Sequence, residues 1–272
     1  MMQLIDFIIS SILSVITVTF WLGNYSPWWW LSLPVLFLTY FTLVLSLFWI
    51  YCMICAHKYR HHDLTGPASK LQITNIRLIA SFLMFLSLVT CKCYNKKLIP
   101  TDRPFLATFN HISDYDAWAI YKCISGRYAF IGKKILKQVK AISSLTVAGG
   151  TLLVDRDDPN SGHKVVDDAV NYISKKNTSV MIAPEGTRDM SGKLLPFKHG
   201  GFHIALRSKC PIVLIGLKGF EKLKHRHFLQ IGHTSITIFG VIEPNEYENM
   251  TAAELADYVR NKYLQFLGQK DE

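Results

Sequence analysis

No Asp, Glu, Lys or Arg occurs from residue 7 to residue 56. All 30 Lys and Arg residues lie beyond that stretch, as does every acidic residue except Asp6. A soluble domain of such length needs charges on its solvent face, so this gap excludes one. Other absences narrow the chain further. "MMQLID" carries no positive n-region, and a second apolar run follows almost at once, which argues against a cleaved signal peptide. There is no GxGxxG fingerprint for a dinucleotide and no GxSxG elbow for a hydrolase serine. No internal repeat or low-complexity tract is visible.

Two predominantly apolar runs occupy this region, residues 4–22, with Asp6 near its start, and residues 31–54. As helices they measure roughly 28 and 36 Å at about 1.5 Å per residue, against a hydrocarbon core of about 30 Å. Between them "GNYSPWWW" supplies turn residues and three tryptophans suited to a membrane interface. Residues 1–56 are therefore expected to form a retained helical hairpin, spanning the bilayer or dipping into one leaflet. The Lys- and Arg-rich remainder follows the second helix, so positive-inside bias places it in the cytoplasm.

The six cysteines are Cys52, Cys55, Cys91, Cys93, Cys123 and Cys210. A cytoplasmic domain does not call for a disulfide framework. Cys52 and Cys55 read as small helix-compatible side chains. His57, His61 and His62 lack the Cys or carboxylate partners of a metal site, so no metal and no cofactor are expected. The net charge of +10 admits an alternative, a membrane-anchored module for nucleic acid or anionic lipid. The basic residues are dispersed and lack a nucleic-acid motif, so no nucleic-acid partner is expected.

Residues 57–96 read as a connector. Within it the apolar run 78–89 is either a core helix or an interfacial helix against the membrane. From residue 97 to 272 short apolar runs alternate with helical patterns: "FLATFN", "YAFIG", "TLLVD", "SVMIA", "IVLIGL" and "SITIFG" read as strands. Val165, Val166, Ala169, Val170 and Ile173 mark one helix face. Thr251 and Glu254 make a capping box for a last helix that Gly268 closes. The fold class implied is α/β, a sheet flanked by helices and preceded by the hydrophobic hairpin.

Three stretches carry chemistry. In "NHISDYD", His111 and Asp116 are five residues apart, which on one helix turns their side chains well away from each other. They meet only if His111 lies in a loop and Asp116 in the first turns of a following helix, with Ser113 or Asp114 as its N-cap. Asp116 then accepts the Nδ1 proton and leaves Nε2 as a base. No nearby Ser or Cys offers itself as nucleophile, so the substrate supplies the hydroxyl. A hydrolase in which His111 activates water is the competing enzyme class. In "GGTLLVDRDD", Gly149 and Gly150 allow an unusual backbone path or close ligand approach, and Arg156 follows a strand. In "APEGTRDMSGKLLPFKHGGFH", Gly186 permits a sharp turn after a strand. Thr187, Arg188 and Lys198 suit a phosphate. Glu185 is unusual there unless it binds a substrate hydroxyl or orients Arg188.

In order and spacing, "NHISDYD" at 110–116, "GGTLLVDR" at 149–156, "PEGTR" at 184–188 and "CPIV" at 210–213 resemble the four motif blocks of the 1-acyl-sn-glycerol-3-phosphate acyltransferases. These belong to the wider glycerolipid acyltransferase superfamily, and the resemblance covers roughly residues 97–245. It implies a mixed sheet and acyl transfer from acyl-CoA or acyl carrier protein to the sn-2 hydroxyl of lysophosphatidic acid, giving phosphatidic acid. The alternative acceptor is another lysolipid, an aminoacyl lipid or glycerol 3-phosphate. His111 would be the base and Asp116 its orienting acid. Arg156, Glu185, Gly186, Thr187, Arg188 and Lys133 would bind the substrate, with Lys134 a weaker candidate. Pro211 would shape the acyl-chain or acceptor pocket. The chain departs from the family at Asp189, where Ser is common. An acid there is expected either to lower phosphate affinity or to pair with Arg188, and Asp114 is a second acid near the base. The implied setting is a membrane with the catalytic domain cytoplasmic, in a bacterial inner membrane or alternatively the endoplasmic reticulum.

Overall fold

The computed structural model describes residues 12–14, 16–17, 33–60, 66–134, 148–155, 157–227 and 230–270. The chain divides into two compact units, Met1–Lys58 and Tyr59–Glu272. Most of the run 4–22 and the whole tryptophan turn lie outside the described residues.

In the first unit, α1 (Leu33–Arg60) is a 28-residue helix. Its segment Leu33–Cys55 is long and apolar enough to cross a membrane. The hydroxyls of Thr39, Thr42 and Ser46 donate to carbonyls three or four residues back along the same helix. The polar side chains are thus satisfied without water, as an apolar solvent requires. Leu38, Leu43, Leu47 and Trp49 are all more than half exposed on its surface. Thr17 Oγ1 and Tyr40 Oη are 2.8 Å apart, so the helical residues 16–17 lie beside α1.

The second unit begins with α2 (Lys70–Leu86). Ser69 Oγ accepts from the Gln72 amide and Gln72 Oε1 from the Ser69 amide, a closed capping box. Ile73, Ile76, Ala80 and Met84 repeat at helical spacing and are buried, so this apolar run is a core helix. β1 (Val89–Tyr94) follows and pairs in parallel with β7 (Gly232–Ile242). The stretch expected as a connector at 57–96 therefore contributes a helix and a strand to the domain. Its alternation of half-buried and exposed residues fits an edge strand, which is why no continuous apolar run announced it.

The remaining strands are β2 (Leu106–Phe109), β3 (Tyr128–Lys133), β4 (Leu152–Val154), β5 (Ser179–Ile182) and β6 (Ile212–Lys218). The described strands make one seven-stranded sheet in the order β1-β7-β6-β2-β5-β3-β4. Only the β6–β7 pair is antiparallel. β2 and β5 are buried at every position, and both read as mainly apolar runs with one buried hydroxyl each, Thr108 and Ser179, as strands covered on two faces do. α2 and α3 (Asp116–Cys123) pack against each other beside β1. α4 (Pro159–Lys176), α5 (His203–Ser208) and α7 (Ala252–Leu267) share the other core, around Leu106, Val180, Ile182, Ile212 and Leu214. The short α6 (Pro244–Tyr247) bridges β7 and α7.

α7 has the expected ends: the Thr251–Glu254 box is closed, and Gly268 is left-handed at φ 70°. Its Tyr263 hydroxyl donates to the Thr108 carbonyl at 2.6 Å and accepts from the Ile215 amide at 3.2 Å. That contact braces β2 against β6 at the β-bulge of Leu214/Ile215, one strand turn before the loop that bears His111.

Candidate functional site

β2, β3 and β5 run in parallel, so their carboxyl ends open on one side of the sheet, where α/β proteins place ligands. His111 leaves β2 through Asn110. The Asn110 side chain donates to the Leu217 carbonyl at 3.0 Å and accepts from the Leu217 amide at 2.8 Å. A buried amide thereby fixes the loop to β6, a role the motif's asparagine did not disclose in sequence.

His111 Nδ1 lies 2.8 Å from Asp116 Oδ2, and Asp116 opens α3 as its geometry requires. Oδ2 also accepts the amides of Ile112 at 2.8 Å and Ser113 at 3.0 Å. With three donors it is an acceptor-only oxygen, and the contact fixes the tautomer with hydrogen on Nδ1. Asp116 is 1% exposed, and its Oδ1 has no hydrogen-bond partner. Burial raises its pKa above the usual carboxylate value, against the hydrogen bond and charge of His111. Ser113 Oγ accepts from the Tyr115 amide, so the turn is capped from within, while Asp114 is used elsewhere.

The third motif holds the main chain of His111 from both sides. Glu185 Oε1 accepts the His111 amide at 2.7 Å, and the Asp189 amide donates to the His111 carbonyl at 3.0 Å. Glu185 Oε2 accepts the Leu195 amide at 2.9 Å, tying the returning chain to the same carboxylate. Both Glu185 oxygens are occupied by backbone, and burial pushes its pKa up to about 7. The Asp189 side chain accepts the Ser191 amide at 2.8 Å, closing its own turn. Arg188 pairs instead with Asp114. Of the two alternatives for Asp189, a pair with Arg188 is not formed; the ion pair joins residues 74 apart in sequence.

Gly186 sits at φ +69°, and a Cβ there would meet the Lys198 side chain at 3.1 Å. The glycine lets the Lys198 stem cross the turn. Gly150, at φ +62°, is needed for another close approach: a Cβ would meet the Ala68 nitrogen at 2.8 Å. Gly150 of the second motif therefore serves backbone packing against residues 66–68. Arg156 lies outside the described residues. Lys134 is paired with Asp155 at 2.7 Å.

His111, Asp114, Lys133, Gly186, Thr187, Arg188 and Lys198 line one cavity of about 1160 Å³. Its apolar wall includes Phe109, Trp118, Tyr121, Phe130, Val165 and Ile204. His163, His199, His203 and Arg207 extend the lining beyond the motifs. Sequence reading did not single these out: His199 and His203 lie in the quoted third stretch without a role of their own, and His163 and Arg207 sit on helices that carry no motif. Pro211 does not line this cavity. Its carbonyl accepts the Leu106 amide at 3.0 Å, at the start of β2 and β6. Parallel pairing puts that end of the sheet opposite His111, which removes Pro211 from the expected pocket.

Residues 90–218 match the family model described as Acyltransferase. The chain is similar to the 1-acyl-sn-glycerol-3-phosphate acyltransferase of Escherichia coli (strain K12), 28% identical over 163 residues. That match covers 60% of this chain and 66% of the relative. The enzyme of the same name from Cocos nucifera is 29% identical, over 60% of this chain and 54% of its own. The Homo sapiens alpha form is 26% identical over 70% of this chain and 68% of its own. The chain thus spans two thirds or less of the first two relatives. In fold it is similar to the crystal structure of the 1-acyl-sn-glycerophosphate (LPA) acyltransferase PlsC from Thermotoga maritima. The TM-score is 0.61 at 21% identity, with 72% of this chain and 78% of that one covered.

Proposed function

We propose that the domain is an O-acyltransferase moving a fatty acyl group from a thioester donor to the sn-2 hydroxyl of 1-acyl-sn-glycerol 3-phosphate, giving phosphatidic acid. The observation that carries the reading is the His111–Asp116 contact on the wall of a cavity that also holds Arg188, Thr187 and two lysines. With Nδ1 held by Asp116, Nε2 takes the proton of the acceptor hydroxyl. The alkoxide attacks the thioester carbonyl, and the tetrahedral intermediate expels the thiolate, which the imidazolium protonates. Asp116 steadies the imidazolium charge that develops in between.

A phosphate monoester competes with Asp114 for the planar fork of Arg188, helped by Thr187, Lys133 and Lys198. Arg156 belongs to the same group by its place in the second motif. Glu185 positions the base through the main chain, with both oxygens spoken for. The aromatic and branched wall suits an acyl chain. The donor is acyl-CoA or acyl carrier protein. Residues 1–56, with the exposed apolar surface of α1, anchor the enzyme to a bilayer in which acceptor and product reside, and the domain faces the cytoplasm.

The test is thioester consumption by the purified full chain with palmitoyl-CoA or palmitoyl-acyl carrier protein, with and without 1-acylglycerol 3-phosphate, and product by mass spectrometry. Phosphatidic acid should form only with acceptor, and His111→Ala should lower the rate by about 10²–10⁴-fold in a folded protein. Thiol release at the same rate without acceptor would make the protein a hydrolase. Transfer to other lysolipids but not to lysophosphatidic acid would move the substrate.

A further inference from the structure

Away from the cavity, three cysteines converge. Cys91 and Cys93 are two residues apart on β1, so both thiols leave the same face of the strand, while Thr90, Lys92 and Tyr94 are exposed. Cys123 closes α3 against them. Its thiol donates to Cys91 Sγ at 3.6 Å. All three are free thiols, with Cys123 buried and the two strand cysteines partly exposed. The hydrogen bond from Cys123 pulls the Cys91 pKa down to about 7 against the effect of burial, with Lys122 and Lys96 adding to the pull. The same interaction pushes Cys123 up. A partly exposed thiolate beside a buried protonated thiol is the arrangement of an attacking and a resolving cysteine.

We propose that Cys91 and Cys123 form a dithiol that hydrogen peroxide oxidises to a reversible disulfide between β1 and the end of α3. The Cys91 thiolate attacks one peroxide oxygen, forming an S–O bond as the O–O bond breaks, and the departing hydroxide takes a proton to become water. Cys123 sulfur then attacks the sulfenic sulfur, forming the S–S bond as the S–O bond breaks, and a second water leaves with the thiol proton. Two thiols are oxidised and one peroxide is reduced to two waters. The sulfurs, now 3.6 Å apart, must close to about 2.0 Å, a change within reach of side-chain rotation and a small strand shift. The chemistry is independent of acyl transfer.

Cys93 is the built-in competitor, because its pKa is also lowered by Cys123. Lys92 lies between the two strand cysteines and Lys122 precedes Cys123, so trypsin separates all three. The full chain is treated with hydrogen peroxide at neutral pH, alkylated, digested without reduction and mapped by mass spectrometry. The expected result is loss of two alkylatable thiols out of six and a crosslink joining the peptides of Cys91 and Cys123, released by dithiothreitol. Cys123→Ser should leave Cys91 as a sulfenic acid that dimedone traps. A crosslink through Cys93, or full alkylation of both peptides after peroxide, would overturn the assignment. If Cys123→Ser fails to fold, the map of the unaltered chain decides alone.

Discussion

Asp116→Asn tests the site at its most specific point, because the structure dictates how the new amide must sit. With the Asn oxygen in the place of Oδ2, the bonds from His111, Ile112 and Ser113 are kept. The amide NH2 then falls at Oδ1, where nothing accepts it, at a cost of about 1–3 kcal/mol. The flipped amide would instead leave two backbone N–H groups unbonded, each at a similar cost, so it loses. The histidine therefore keeps its tautomer, and what disappears is the charge opposite the imidazolium. At about 4 Å and an effective dielectric of about 20, that interaction is on the order of 4 kcal/mol, an upper value for a factor of about 10³. We expect kcat for palmitoyl transfer to fall by about 10²–10³ with the acceptor KM little changed, since Asp116 does not line the cavity.

Stability should move differently. Burial raises the Asp116 pKa, so the folded state favours the protonated acid. That preference is complete below 3.8 and is lost as pH rises through the raised value, above which the ionised group weighs against folding. Asn carries no such term, so its melting temperature relative to wild type should improve from acid to neutral pH. A kcat within about threefold of wild type would refute the base-orienting role, as would a KM effect with kcat preserved.

Glu185 gives a second pH signature. Its pKa is raised to about 7 by burial, so its contribution is present below 4.5 and lost by about 7. Glu185→Gln should flatten the thermal stability of the protein over that interval, and an unchanged slope would show that the titration lies elsewhere. Arg188→Lys retains charge but loses the fork, and should raise the KM for lysophosphatidic acid more than for acceptors without a phosphate monoester. Asp114→Asn removes a pair whose side chains are 37% and 75% exposed, so stability should shift by less than about 1 kcal/mol. Its acceptor KM should fall, and a rise would mean that Asp114 aids binding. Removal of residues 1–58 should leave the domain folded by circular dichroism, poorly active on long-chain acceptor in vesicles and partly active on a short-chain soluble one. Full activity on vesicles would show that the N-terminal unit is not needed for substrate access.

Much of this protein is local and therefore legible in sequence. β2, β5 and β6 announce themselves because strands buried on both faces must be mainly apolar. The α7 capping box and its closing glycine are set by residues a turn apart. The five-residue spacing of His111 and Asp116 demanded a loop followed by a helix, and that is what holds them together. Tertiary structure decided what depends on distant chain. β1 escaped notice because an edge strand alternates, and only pairing with β7 makes it part of the sheet. Glu185 read as a ligand for substrate until the fold brought the amides of His111 and Leu195 to its two oxygens. Arg188 had an acid next to it in sequence, yet pairs with Asp114 because adjacent residues on a turn diverge while two loops at one sheet edge converge. Pro211 kept company with the other motifs only along the chain. Strand direction, which no local pattern encodes, put it at the far end of the sheet.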